Sequence, residues 1–267
     1  MKGRILSIAG SDSGGGAGIQ ADIKAITALG GYAMTAVTAL TAQNTHGVHG
    51  VEVTHPDFVA LQIRTACDDF GVDAIKTGML VDEAIVDRVA DTIEGYSGVP
   101  LVVDPVMVAK GGAKLLAPGA IAALFGRLIP MATVLTPNIP EAELLLGRTI
   151  RSVDDMIAGA HALRERGANA VVLKGGHLES DMITDVLLDA DGVKTYPAPR
   201  IATRHTHGTG CTLASAIATG LAQGLDLDAS LRRARSYLRA AIEGAPGYGT
   251  LAGPVDHAAG IDPNRFA

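Results

Sequence analysis

The sequence predicts an α/β fold of three layers, a mainly parallel central sheet with helices on both faces and an antiparallel hairpin at one edge. Three observations carry this. Short apolar runs alternate with longer amphipathic ones along most of the 267 residues, a rhythm that implies right-handed crossovers between parallel strands. The segment DVLLDADGVKTYPAP (185–199) breaks the rhythm, because two strand-like runs flank Asp191-Gly192, a strong two-residue hairpin signal. Finally, each apolar run stops abruptly at polar or glycine residues: AGSD, TAQN, KTGM, DPVM, LTPN and LKGGH.

In chain order, the strand candidates are residues 4–9, 33–42, 72–77, 101–104, 132–136 and 170–174. Helical periodicity fills the intervals at 17–29, 56–70, 82–94, 118–128, 140–146 and 153–167. Pro56, Pro118 and Pro140 fall in the first helical turn, where a missing N–H is no loss. SVDD at 152–155 has the spacing of a capping box. Two helices follow the hairpin, 211–223 and about 227–243. In the second, Leu231, Ala234, Leu238, Ala241 and Ile242 share a face, and the basic residues Arg232, Arg233 and Arg239 are expected to be solvated. With no linker and no repeat of 20–50 residues, residues 1–267 read as a single domain.

Composition narrows the function. Hydrophobic residues make up 48% and charged residues 19%, which is globular usage, and the 33 glycines are scattered rather than concentrated. A formal net charge of −6 argues against a nucleic-acid-coating surface, so an anionic ligand must be small and met by local devices. Cys67 and Cys211 are too few for a disulfide framework and form no CxxC pair, which suggests a reducing compartment. The basic start and apolar run of MKGRILSIAG mimic a secretion signal but are too short, and the stretch from 120 to 135 is interrupted by Arg127 and Pro130, so no membrane span is expected.

The polar sets all fall at the carboxyl ends of the predicted strands, which in an open parallel sheet form one edge where ligands collect. Neither a GxGxxG nor a GxxxxGK[ST] motif is present. The better anion site is HTHGTGC: Gly208, Thr209 and Gly210 precede a helix whose free N–H groups and positive dipole end suit a phosphate. Cys211 sits at that same end, where a thiolate would be favoured and its pKa lowered; a small buried core residue is the other reading of the same position. His205 and His207 lack a third partner for zinc. Asp104, Asn138 and Glu141 offer hard oxygen atoms to a hydrated Mg2+ ion, and Lys174 can reach phosphate oxygens as a point charge. Each also suits a turn or a helix start. Together they form a set suited to phosphoryl transfer. Gly111 and Gly112, within 105–115, are candidates for a lid.

The segments AGSDSGGGAGIQADIKAITALGGY, TALTAQNTHGV, DAIKTGML, DPVMVAKGGAKLL, LTPNIPEAELLLG, VVLKGGH and HTHGTGCTLASAIA span nearly the whole chain. In that order they resemble the hydroxymethylpyrimidine and phosphomethylpyrimidine kinases of thiamine synthesis, which are ribokinase-like proteins. The resemblance implies ATP-dependent phosphorylation of 4-amino-5-hydroxymethyl-2-methylpyrimidine and then of its monophosphate. It implies that Gln43 hydrogen-bonds the aminopyrimidine edge, and that Gly10, Ala17, Asp22, Met79 and Val106 line or support its pocket. Gly208, Thr209 and Gly210 would be the anion hole, with Cys211 in the place that aspartate takes in related sugar and pyridoxal kinases, accepting the alcohol proton. Lys174, Asn138 and Asp104 would serve the nucleotide, and Asp104 and Glu141 the Mg2+ ion. It further implies a cytoplasmic homodimer with no nucleic-acid or membrane partner. Gly14, Thr77 and the looser GYGTLAGPVDH (247–257) depart from the usual pattern, the last bearing on nucleotide contacts. A pyridoxal-type kinase and a non-catalytic pyrimidine-binding protein are the competing readings.

Overall fold

The computed structural model describes residues 2–107 and 118–261. Its elements are β1 (Arg4–Asp12), α1 (Gly18–Ala28), β2 (Tyr32–Asn44), β3 (Gly47–Val53), α2 (Pro56–Phe70), β4 (Ala74–Thr77), α3 (Glu83–Ile93), β5 (Leu101–Val103) and α4 (Pro118–Ala123). They continue with β6 (Val134–Leu135), α5 (Ile139–Leu146), α6 (Val153–Glu165), β7 (Val171–Leu173), β8 (Met182–Asp189), β9 (Gly192–Pro199), α7 (Thr209–Ala222) and α8 (Leu227–Glu243). One nine-stranded sheet has the order β3-β2-β1-β4-β5-β6-β7-β8-β9. From β2 to β7 neighbouring strands are parallel, whereas β3, β8 and β9 pair antiparallel.

Strand alternation sends successive side chains to opposite faces, and a core forms on each. Leu6, Ile8, Ile75 and Val103 pack with Val59, Val89 and Leu163 of α2, α3 and α6. Ile5, Ala74, Val102 and Val134 pack with Ile26, Ile217 and Leu231 of α1, α7 and α8. The expected hairpin is β8–β9, turning between Asp189 and Gly192.

Beyond shifts in element bounds, such as β1 running on to Asp12, β6 shrinking to Val134–Leu135 and α7 starting at Thr209, four differences from expectation stand out. First, the sheet has a second antiparallel edge, β3, whose seven residues GVHGVEV are exposed or half-buried and so lack the apolar alternation that marks a strand. Second, the helix expected over 118–128 is α-helical only to Ala123. It widens to a π-turn over Leu124–Leu128 and ends in a 3-10 turn at Ile129–Met131, where Pro130 has no N–H to donate. Third, at 152–155 only half a capping box forms: Ser152 Oγ accepts from Asp155 N at 3.0 Å, while the Asp155 carboxylate takes Arg151 N at 2.9 Å. Fourth, the basic face of α8 is largely engaged. Arg239 donates to Pro199 O at 2.8 Å and Arg233 to Gln223 Oε1 at 2.7 Å, while Arg232 is exposed beside Asp228. Among the described residues, no helix is long and apolar enough to cross a membrane.

Candidate active site

The carboxyl ends of the parallel strands open into a cleft of about 830 Å3, floored by the start of α7 and walled by the β8–β9 hairpin and α8. Every site residue expected from sequence lines it except Asp22. The lid expected over 105–115 falls, for 108–115, outside the described residues.

The floor can hold an anion. Gly208 caps α7 at φ 82°, and a Cβ there would lie 1.8 Å from Gly16 O, so only glycine fits both the backbone and the neighbouring loop. No side chain caps α7, and geometry leaves its first-turn N–H groups without intrahelical partners. A Cβ on Gly210 would lie 3.2 Å from Lys174 Nζ and 3.7 Å from Asp104 Oδ2. Backbone donors, the helix dipole and an ammonium group therefore converge on one spot.

Three strand ends supply the charges above that floor. Lys174 Nζ sits 2.9 Å from Asp104 Oδ1 and 4.0 Å from Glu141 Oε2. Burial alone would lower the Lys174 pKa, but Asp104 and Glu141 more than reverse it. Glu141 is pushed up to about 7, first by burial and then by Asp104, with Lys174 pulling it back. Asn138 and Glu141 close a full capping box on α5: Asn138 Oδ1 accepts from Glu141 N at 2.9 Å, and Glu141 Oε2 from Asn138 N at 2.7 Å. That accounts for the local role of both side chains. Among the described residues, no three His, Cys, Asp or Glu side chains form a metal cage. Two carboxylates beside an anion floor still suit Mg2+, which keeps waters and takes most remaining ligands from phosphates.

Cys211 lines the cleft in the first turn of α7, but its thiol is not activated at rest. Burial pushes it up to about 11; Lys76 and a hydrogen bond from the Gly18 amide pull it down, while Asp22 and Asp104 push it further up. The expected lowering by the helix end is thus outweighed by desolvation, a tertiary cost invisible in the local sequence. Asp22 lies beneath the cleft, not in its wall. Its carboxylate takes Lys76 Nζ at 3.0 and 2.9 Å, Ser7 Oγ at 2.5 Å and Ser215 Oγ at 2.7 Å. Ser215 is one helical turn beyond Cys211, so the buried Lys76–Asp22 pair underlies the thiol.

Beside that floor, Asp12 organises the glycine loop: Gly14, Gly16 and Ala17 donate their N–H groups to its carboxylate at 2.8, 3.0 and 2.8 Å. His207 Nε2 is 2.9 Å from Asp12 Oδ2 and 3.3 Å from Gln43 Nε2. Burial raises the Asp12 pKa, but the hydrogen bonds from His207, Ala17 and Gly14 carry it below its usual value. Residues 247–257 do not line the cleft. They brace it from behind, through Gly253 O accepting from His207 N at 3.0 Å and His257 Nε2 lying 3.0 Å from Thr212 Oγ1. Sequence reasoning missed Asp12, Thr41 and His207 as site residues. The Asp-Ser-Gly-Gly run at 12–15 was the signal for Asp12, as an Asx-turn former.

A family model described as phosphomethylpyrimidine kinase matches residues 12–256. A hydroxymethylpyrimidine/phosphomethylpyrimidine kinase of Rhizobium meliloti is 48% identical over 260 residues, covering 96% of this chain and 97% of that protein. A thiamine biosynthesis bifunctional protein of Geobacter sulfurreducens is 49% identical over 96% of this chain, which spans 52% of that longer protein. Among solved structures, an ADP complex of Bacillus subtilis pyridoxal kinase superposes with a TM-score of 0.89 at 37% identity, covering 97% of this chain and 98% of that one.

Proposed function

The chain belongs to the phosphomethylpyrimidine kinase family, and from that premise we propose how its residues use ATP to phosphorylate 4-amino-5-hydroxymethyl-2-methylpyrimidine and then its monophosphate. The observation that carries the reading is the uncapped start of α7 lying against Lys174 on the floor of a cleft that Gln43 also lines. Gln43 holds the aminopyrimidine edge, and Met79 and Val106 pack on the ring, with Gly10 and Ala17 beside it. The hydroxymethyl arm points at Cys211. The amides of Thr209, Gly210 and Cys211 stabilise charge on the transferring phosphoryl group, and Lys174 steers the nucleotide phosphates. Asp104 and Glu141 would hold a hydrated Mg2+ ion, which when bound neutralises phosphate charge. Asn138 sets Glu141 in place.

Cys211 receives the alcohol proton as sulfur anion. Its raised pKa makes that anion a minor species at neutral pH, so turnover rises with pH from 7 to 9 in the parent enzyme. The loose transition state of phosphoryl transfer asks more of positioning than of a strong base, which suits such a group. We read the enzyme as a cytoplasmic homodimer. Both cysteines are free, and Leu40, Val51, Val53, Phe58 and Leu61 leave apolar surface exposed around β3 and α2. Sedimentation checks the dimer.

The deciding experiment is a coupled ATP assay with the pyrimidine alcohol, its monophosphate and pyridoxal as separate substrates. The reading expects turnover of the first two, with pyridoxal slower. Faster phosphorylation of pyridoxal makes the chain a pyridoxal-type kinase, and pyrimidine binding without ATP consumption makes it a binding protein.

A further inference from the structure

Gln43 and His207, 164 residues apart in the chain, meet at the cleft, where the hydrogen atoms can be counted. Asp12 takes three backbone N–H groups, from Gly14, Gly16 and Ala17, and as a carboxylate it can only accept. The Nε2 atom of His207 that faces it at 2.9 Å must therefore carry the proton. A protonated Nε2 cannot also accept from the Gln43 amide nitrogen 3.3 Å away. On the other flank, Thr41 Oγ1 spends its single hydrogen on Ser11 O at 2.9 Å, so it cannot donate to the Gln43 oxygen at 3.3 Å. Both conflicts vanish together if the amide is turned over. Its oxygen then accepts from His207 Nε2–H, shared with Asp12, and its NH2 donates to a lone pair of Thr41. Nitrogen and oxygen of an amide are assigned by such counting.

We infer that the Asp12–His207 pair orients the Gln43 amide and thereby decides which hydrogen-bonding edge of a ring the site accepts. With the flanks occupied, the outer edge of the amide keeps one acceptor on the His207 side and one donor on the Thr41 side. The complementary ligand is an amino-substituted ring nitrogen heterocycle, with its exocyclic amino group toward His207 and its ring nitrogen toward Thr41. A ring bearing an oxo group and an adjacent N–H has the opposite pattern and meets donor against donor. His207 is thus a positioning residue for specificity. The inference rests on the reading of Gln43 as the pyrimidine contact.

The test uses the full-length enzyme and two substrates, the aminopyrimidine alcohol and the analogue with an oxo group in place of the amino group. The parent enzyme is expected to favour the amino compound. In His207→Ala the preference falls at least about tenfold and KM for the amino compound rises by a similar factor, while kcat falls less. His207→Gln, which returns an N–H near the same place, recovers most of the preference. In the folded parent protein, nitrogen NMR with His207 assigned by that variant finds the proton on Nε2. An unchanged preference in His207→Ala, with Gln43→Ala raising KM, overturns the inference alone, as does a neutral His207 protonated only on Nδ1. Gln43→Ala with unchanged KM removes the reading beneath it and the inference as well.

Discussion

Two lysine–aspartate pairs stand toward the carboxyl ends of strands in one sheet, Lys76 in β4 and Lys174 just past β7, and they behave differently because one is sealed and the other opens into the cleft. Lys76 and Asp22 both have side chains with 0% exposure, and every oxygen lone pair in reach is used by Lys76, Ser7 or Ser215. Lys174 is 13% exposed, binds Asp104, and leaves Glu141 at 4.0 Å only loosely compensated. A sealed pair is a fixture whose charges have nowhere else to go, whereas a loosely compensated pair facing solvent is available to a ligand. The lesson is that a buried lysine is not thereby a functional one: the discriminating feature is an unfinished set of partners.

The largest effect separating the two should come from removing each ammonium group. Lys76→Met strands the Asp22 carboxylate, and denaturant unfolding should show a loss of about 3–5 kcal/mol; a loss below about 1 kcal/mol would end the claim that the pair is sealed. Lys174→Met leaves a site that water reaches and a Glu141 that can take up a proton. Its stability should change much less, but kcat should fall about a hundredfold, or ~2.7 kcal/mol.

His257 shows a third solution, a sealed titratable group kept neutral. Burial lowers its pKa to about 4, with Lys24 adding to the effect. A histidine depressed from about 6.5 in the unfolded chain makes the unfolded state bind more protons on acidification. Stability is therefore full above pH 6.5 and is lost as pH falls toward 4, about 2 kcal/mol of it by pH 5. His257→Gln should flatten that slope in melting curves taken from pH 7 to 5. The smallest effect concerns the residue next to Lys76. Thr77 Oγ1 is buried with no hydrogen-bond partner, so Thr77→Val should gain ~1 kcal/mol and raise Tm by about 2–4 °C; a lowered Tm would mean the hydroxyl is satisfied.

Much of this was legible in the residues. The bounds of α2 were readable because Pro56 opens it and Gly71, at φ 72°, closes it. The β8–β9 hairpin was readable from Asp191-Gly192, although the two turn residues are Ala190 and Asp191, and Gly192 opens β9 at φ 110°. The helix after Gly208 was readable, although it begins at Thr209, two residues earlier than expected, and so takes in Gly210. What escaped were properties of distant contact: Lys76 finds its partner 54 residues away, and Asp12 meets His207 across 195. Local pattern cannot report either. The Cys211 pKa failed for the same reason, since a helix end is a local feature and desolvation belongs to the whole fold.

The central claim is that the start of α7 performs phosphoryl transfer beside the Cys211 sulfur. It is tested most directly by measuring pyrimidine binding by calorimetry and turnover by coupled assay in Cys211→Ala. The account predicts kcat reduced at least about a hundredfold with Kd for the pyrimidine alcohol within about threefold of the parent value. Equal turnover in that variant would contradict it.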